Sequence, residues 1–369
     1  MQDTLLQETR EKLRRVRAFL RKRKCEALIL RRPDNFAWFS GGGDGAVTPG
    51  FGQPRSLLVF TLKTTYLVAQ TLDGPRILRE ELRGVDVEPM FVSCQDEACQ
   101  DRARRLVKGL KTLSDVPMKD AVEVSAAIAG LHYPLSPGEL DRCRRLGAKS
   151  EEILATIAQQ VKPGMRERDI AAICLWEYTR AGVRCESVHV GSDGRISRCP
   201  YPAPTSKKVE RLVLLRAAVR MRGLRARLTR MVWLGDRVPK DHAVRHEAAC
   251  RIEAATIASC VPGRTLCSVL EVRKQLYAET GYREEWRDHC SGGLTGFTCV
   301  ESFPAPKMAT DVGPHQAFNW IANVGGFAAE ELSLTGPRRL EVATVRDYWP
   351  ARRYEYGGCI VPMPEILKR

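Results

Sequence analysis

The polar and apolar positions of the chain alternate between two periods, and the changes of period mark out its elements. Leu6, Leu13 and Leu20 recur with Val16 at helical spacing, which predicts an amphipathic helix over about 4–23. The apolar run Ala27 to Leu30 then has the length of a buried strand. Leu57 to Thr61 and Thr65 to Ala69 predict two further strands, with a helix near 74–82 and a last one over about 96–112. This order describes a small α/β domain over residues 1–130. Gly41 to Gly43 lack a following Lys-Ser/Thr and any GxGxxG spacing, so they predict a glycine turn rather than a phosphate loop.

The pattern changes at Pro134-Leu135-Ser136-Pro137-Gly138-Glu139. Ser136 suits a helix N-cap, Pro137 the first turn and Glu139 a capping box, which predicts a long helix to about Val161. A second domain over 134–369 starts there, and it repeats itself. Pro163-Gly164, Tyr178 and Gly182 reappear 99 residues on as Pro262-Gly263, Tyr277 and Gly281, with Ile153 matching Ile252 and Ala155 matching Ala254. That points to a duplicated half-domain. Between the copies, Leu212 to Leu215, a Gly223 turn and a segment ending Leu228-Thr229-Arg230 read as a hairpin. His242 and His246 stand four apart on a helix over 239–260. No Glu follows His242 and no third ligand is evident, so they read as solvent-exposed histidines rather than a zinc pair.

Composition changes this picture little. The chain has 369 residues, 44% hydrophobic and 28% charged, which suits two globular domains. No apolar run approaches the ~20 residues that span a bilayer. Residues 1–8 lack the basic-then-apolar layout of a secretion signal. Thirteen cysteines without a C-x-x-C pair fit reduced thiols, so the expected location is the cytoplasm. The net charge of +15 is spread along the chain, and its densest run, Arg10 to Lys24, lies on the polar side of the first helix. Aromatic residues are not interleaved with the charges, so a nucleic-acid surface is not favoured.

Several segments carry a resemblance. Residues 211–230 resemble the first metal-binding hairpin of the creatinase, methionine aminopeptidase and proline-dipeptidase family, whose fold is called pita-bread. The Asp34-Asn35-Phe36-Ala37-Trp38 run resembles the small N-terminal domain of creatinase and aminopeptidase P. The resemblance implies a creatinase-type α/β domain followed by a duplicated α/β pita-bread domain. It also implies five metal-ligand positions. Two aspartates eleven residues apart fall on Arg216 and Arg227, a histidine on Gly293 and two glutamates on Ile321 and Glu330. Guanidiniums donate hydrogen bonds and repel a cation, so the family's metal and its peptidase chemistry are not expected, nor is any other cofactor. By the same resemblance, the histidine that serves metal-free creatinase as base falls on Tyr201. A substrate-binding histidine falls on Val300, while Gly292, Gly296 and Glu301 stay.

Three readings of the two arginines follow. Glu330, with Glu301 or Glu331, neutralises them in a filled core; or they clamp a carboxylate or phosphate; or a register slip of one residue turns them to solvent. The residues expected around a ligand are Arg216, Arg227, Gly292, Gly293, Phe297 and Trp320. The catalytic candidates are Tyr201, His289, Glu301 and Glu330. Cys290 and Cys299 lie in the same loop, and a structural role is favoured for them over that of nucleophile. Function divides into three classes. The first is metal-independent binding, with or without C–N bond chemistry, of a small anionic amino-acid- or peptide-like molecule. The second is a non-catalytic module for protein or nucleic acid, and the third a residual Xaa-Pro metallopeptidase. The resemblance further implies a homodimer.

Overall fold

The structure is a computed structural model that describes residues 2–45, 56–302, 310–337 and 340–369. The chain forms two compact units, one ending at Gly138 and the other beginning at Glu139.

In the first unit the order is α1 (Gln2–Arg23), β1 (Ala27–Leu30), α2 (Pro33–Phe39), β2 (Ser56–Thr61), β3 (Thr65–Gln70) and α3 (Gly74–Arg76). β4 (Glu88–Val92), α4 (Cys99–Leu106), β5 (Thr112–Ser114), β6 (Val122–Glu123) and α5 (Ser125–Ala129) complete it. One sheet runs β4-β3-β2-β1-β5-β6. Val16 and Leu20 of α1 are fully buried, as their helical spacing requires, and so are all four residues of β1. Gly41 and Gly42 turn the chain with φ of +71° and +108°, conformations that glycine adopts without strain. Two expectations need correction. The helix placed near 74–82 is a single α turn that continues as a π turn over Ile77–Glu81. The helix placed over 96–112 ends at Leu106, because Gly109 takes a φ of +83° and Thr112 begins a strand beside β1.

The second unit contains α6 (Pro137–Gln160), α7 (Glu167–Arg180), β7 (Arg184–Ser192), α8 (Gly194–Arg198), β8 (Leu212–Met221) and β9 (Leu224–Trp233). It continues through α9 (Lys240–Ser259), α10 (Leu266–Glu279), β10 (Gly292–Thr295), β11 (Ala317–Val324) and β12 (Phe327–Thr335). β13 (Leu340–Val342), β14 (Ala351–Tyr356), β15 (Cys359–Pro364) and β16 (Leu367–Lys368) close the chain. Two four-stranded sheets, β16-β9-β8-β7 and β10-β11-β12-β13, carry the architecture. The sequence repeat is visible in three dimensions. Gly164 and Gly263 take φ of +87° and +91°, and their N–H groups donate to Val209 and Val312 at 2.8 and 3.2 Å. Tyr178 and Tyr277 are each fully buried one helix later.

Helix α9 packs against β11 and β12 on one side and the β14–β15 hairpin on the other. That covering overturns the reading of its histidines. His246 is buried and donates Nε2–H to the Pro364 carbonyl at 2.9 Å. The His242 ring lies between Trp233 and Phe327, at 5.5 and 5.0 Å. Among the described residues no group of three or more His, Cys, Asp or Glu side chains is placed to hold a metal. No helix among them is long and apolar enough to cross a membrane.

A buried ionic knot joins α6 to both sheets. Fully buried Arg230 donates Nη1–H to Glu331 at 2.6 Å and Nη2–H to the Thr344 carbonyl, with Glu151 at 3.8 Å. Two carboxylates thus share one guanidinium. Burial pushes Glu331 up to about 7, against the pull of Arg230. Because the folded value lies above the unfolded one, the protonated form is the one the fold favours. Its stabilising contribution is full below the ordinary glutamate value of 4.5 and is lost as the pH rises through about 7. We therefore expect Glu331→Gln, which is neutral throughout, to remove part of the loss of stability between about pH 5 and pH 8. Denaturant midpoints at both pH values, for parent and variant, check this; equal pH slopes would contradict it.

Candidate functional site in the second unit

The site starts from a two-residue hairpin turn. Arg222 and Gly223 take φ of +48° and +78°, the paired positive values of a type I′ turn. That turn sets the β8–β9 register, with Arg216 opposite Thr229 and Ala218 opposite Arg227. Arg216, Thr229 and Arg227 consequently share one face. Arg216 is 3% exposed, which removes the register-slip reading.

Glu330 meets them from β12. Its Oε2 lies 3.0 Å from Arg216 Nε and accepts the Thr229 hydroxyl at 2.8 Å, while Oε1 lies 3.3 Å from Arg227 Nε. Arg216 also donates to Thr229 Oγ1 at 3.0 Å and to the Pro200 carbonyl at 2.9 Å. Its guanidinium lies 4.4 Å from the Tyr201 ring centroid, a cation–π contact. Three donors are left over: Arg216 Nη2 and Arg227 Nε and Nη2 are buried without a hydrogen-bond partner, and so is one acceptor, Glu330 Oε1.

The register also sorts the other expected residues. Ile321 is opposite Glu330 and shares its face, whereas Trp320 is opposite Glu331. Trp320, fully buried and stacked on Phe318 at 5.7 Å, therefore faces away from the arginines, contrary to its expected role at the ligand. Glu331 is committed to Arg230 on that same opposite face, so it does not neutralise the site arginines. Gly292 pairs with Trp320 and Gly293 with Asn319. A Cβ on Gly292 would stand 2.0 Å from the Asn319 carbonyl oxygen, so the close strand approach requires glycine. Phe297 is fully buried, and it is its carbonyl that Arg225 engages. Glu301 accepts the Thr298 N–H at 3.2 Å in the loop after β10.

The candidate bases are held out of use. The Cys290 carbonyl can only accept, so His289 Nδ1 carries the hydrogen that reaches it at 3.1 Å. Nε2 lies 2.8 Å from the Tyr277 hydroxyl, so both ring nitrogens are engaged within the protein. Burial holds His289 down to about 4, consistent with this neutral tautomer. Burial pushes the Tyr201 hydroxyl up, despite Arg216, so it stays a protonated phenol. Burial likewise pushes the Cys299 thiol up, which leaves it a poor nucleophile at neutral pH.

Sequence reasoning missed three contributors. Thr229 bridges Arg216 and Glu330, and it is implied once the turn is read as two-residue. Asn319 accepts the Arg227 N–H at 2.6 Å and donates to its carbonyl at 3.0 Å, replacing a strand partner between the two sheets. His189 is the cross-strand neighbour of Arg216, with its ring 5.9 Å from Tyr201. Burial, then Arg216, holds its imidazole below the ordinary range and so neutral at pH 7.

Residues 141–314 match the model of metallopeptidase family M24. The matched residues all lie within the second unit. Solved structures agree on the fold across both units. An Xaa-Pro dipeptidase from Bacillus anthracis superposes with a TM-score of 0.75 at 15% identity, covering 98% of this chain and 100% of its own. The dipeptidase PepE from Mycobacterium ulcerans gives 0.77 at 16%, covering 98% of each chain. The N-terminal domain of the FACT complex subunit SPT16 from Cicer arietinum gives 0.66 at 13%, covering 92% of this chain and 96% of its own. No curated protein sequence matches the chain. The pita-bread fold read from the sequence therefore holds.

The family's dinuclear metal does not fit the residues at the aligned positions. Two guanidiniums offer no lone pair, Gly293 and Ile321 offer no side-chain donor, and Glu330 already faces two arginines and Thr229. Restoring aspartate at both arginine positions would place three carboxylates in one desolvated space. We expect Arg216→Asp/Arg227→Asp to lose about 3–5 kcal/mol of stability at neutral pH without metal, and the double methionine variant to lose less. Urea denaturation of the three proteins decides it; a double-aspartate variant as stable as the parent would show the arginines to be dispensable.

Proposed function

We propose that this chain is a metal-independent pita-bread protein that binds a small anionic, amino-acid- or peptide-like molecule at Arg216 and Arg227. The observation that carries the reading is the surplus of donors. One carboxylate serves the guanidiniums of buried Arg216 and half-buried Arg227, and three of their buried donor atoms lack a partner against one free acceptor, Glu330 Oε1. A buried donor left unmade costs roughly 1–3 kcal/mol, more when charged, so an acceptor that reaches them is strongly favoured. The surroundings supply an aromatic wall at Tyr201 and no activated nucleophile, so binding is the primary role and turnover secondary.

A screen of carboxylates and phosphates by thermal shift tests this directly. Ligands that bind should raise the melting temperature of the parent and leave that of Arg216→Met/Arg227→Met unchanged. Equal shifts in both proteins would remove the arginines from the site.

The loss of ligands also sets an expectation about metal. Purified protein should hold no stoichiometric Mn, Co, Zn or Fe, and Xaa-Pro dipeptides should not be hydrolysed above a boiled control, because no metal is available to generate hydroxide. Elemental analysis with about one or two metals per chain, or turnover that tracks added Mn, would overturn the reading.

A second reading, a protein-binding module, is favoured by one feature of the second unit. Leu175 and Trp176 on α7 are 46% and 59% exposed, and the fold is shared with a domain of the FACT subunit SPT16. The same patch suits the homodimer that the family resemblance implies, and light scattering distinguishes a dimer from a chain of 41.3 kDa. All thirteen cysteines are free thiols, which supports a reducing compartment such as the cytoplasm.

A further inference from the structure

The ligand class can be narrowed by charge, on the reading that the arginine pair is an anion site. We infer that the pocket selects monoanions, carboxylates above all, over dianions, and that Glu330 is the residue that sets this choice.

Buried charge sets the preference. Arg216 and Arg227 bring two positive charges and Glu330 one negative, which leaves an excess of one. The count cannot adjust itself on the cationic side, because a guanidinium does not release its proton. Buried Arg273, which donates to the Ile321 carbonyl, is coupled first to Glu253 and is counted with that residue, apart from the arginine pair. His189 is neutral, Tyr201 is a protonated phenol, and His289 is locked as a neutral tautomer. Glu331, the next residue along, lies on the other face of the sheet with Arg230. A monoanion therefore leaves the pocket neutral, whereas a dianion leaves one uncompensated negative charge in a desolvated space, where isolated ions are strongly disfavoured.

Geometry agrees with the count. Arg216 and Glu330 are 3% and 0% exposed, so water screens them little. The unpartnered Arg216 Nη2 and Arg227 Nε and Nη2 are charged donors of the kind a carboxylate accepts from. Arg227, with 17% of its side chain exposed, is the more accessible of the two arginines. Glu330 thus does more than hold the arginines: by cancelling one of them, it fixes the charge that a guest must carry.

Two probes test the inference at neutral pH, lactate as a monoanion and sulfate as a dianion, with affinities measured by calorimetry on the full chain. The parent should bind lactate at least about tenfold more tightly than sulfate, a difference of roughly 1.4 kcal/mol. Glu330→Gln raises the excess to two and should reverse the order. Should that variant fail to fold, Arg227→Gln lowers the excess to zero. It should weaken lactate about tenfold and bring the ratio close to one. Sulfate binding to the parent as tightly as lactate, or a ratio unchanged in the folded variant, would overturn the charge rule while leaving the anion pocket in place. Failure of both probes to bind the parent would overturn the pocket itself, and the inference with it.

Discussion

One buried carboxylate between two guanidiniums is the interaction around which the second unit is arranged. Glu330 is fully buried, and an isolated charge there would cost several kcal/mol. It is tolerated because Arg216 and Arg227 reach it from β8 and β9, and because Thr229 adds a neutral donor. Glu330 itself belongs to the other sheet, so the ion cluster joins the two sheets of the second unit. Asn319 continues the seam by satisfying both backbone groups of Arg227. Two guanidiniums thereby gather several strands onto one charge.

Strand alternation then divides the charges between two faces. Glu330 and Glu331 are consecutive on β12 and so point opposite ways. One face holds two arginines and one carboxylate, the other Arg230 with Glu331 and Glu151. The two imbalances are not equivalent. On the helix face a surplus carboxylate can be relieved by a proton, and Glu331 is pushed up to about 7 accordingly. On the pocket face the surplus is a guanidinium, which has no such escape. The proposed anion site rests on this asymmetry between the two faces.

Much of this was legible in the sequence, for identifiable reasons. The repeat offset, the Ser136-Pro137 helix start and the apolar runs report local geometry, and local geometry is what a sequence encodes most directly. The spacing from Arg216 to Arg227 was readable because a short hairpin converts it into a shared face. Trp320 was misjudged since its side depends on the β11–β12 register, which two buried apolar strands do not reveal by alternation. His246 was misjudged for a related reason: its cover comes from β14 and β15, more than a hundred residues on. Asn319 and His189 gave no signal at all. Nothing in a lone Asn or His shows that it will stand beside Arg227 or Arg216 after folding.

Retention of the fold says little about retention of the chemistry. Hydrolysis in a metal site needs a hydroxide and an electrophilic cation, and neither can be assembled from Arg216, Arg227, Gly293, Ile321 and Glu330. The remaining candidates fail for separate reasons. Tyr201 keeps its proton, Cys299 is pushed the wrong way for a nucleophile, and both ring nitrogens of His289 are occupied. Among the described residues facing the arginines, His189 is the neutral imidazole with an unpartnered ring nitrogen. On the proposed reading, a cluster rich in donors and poor in free bases suits an anion, with His189 as the imidazole across the strand from Arg216.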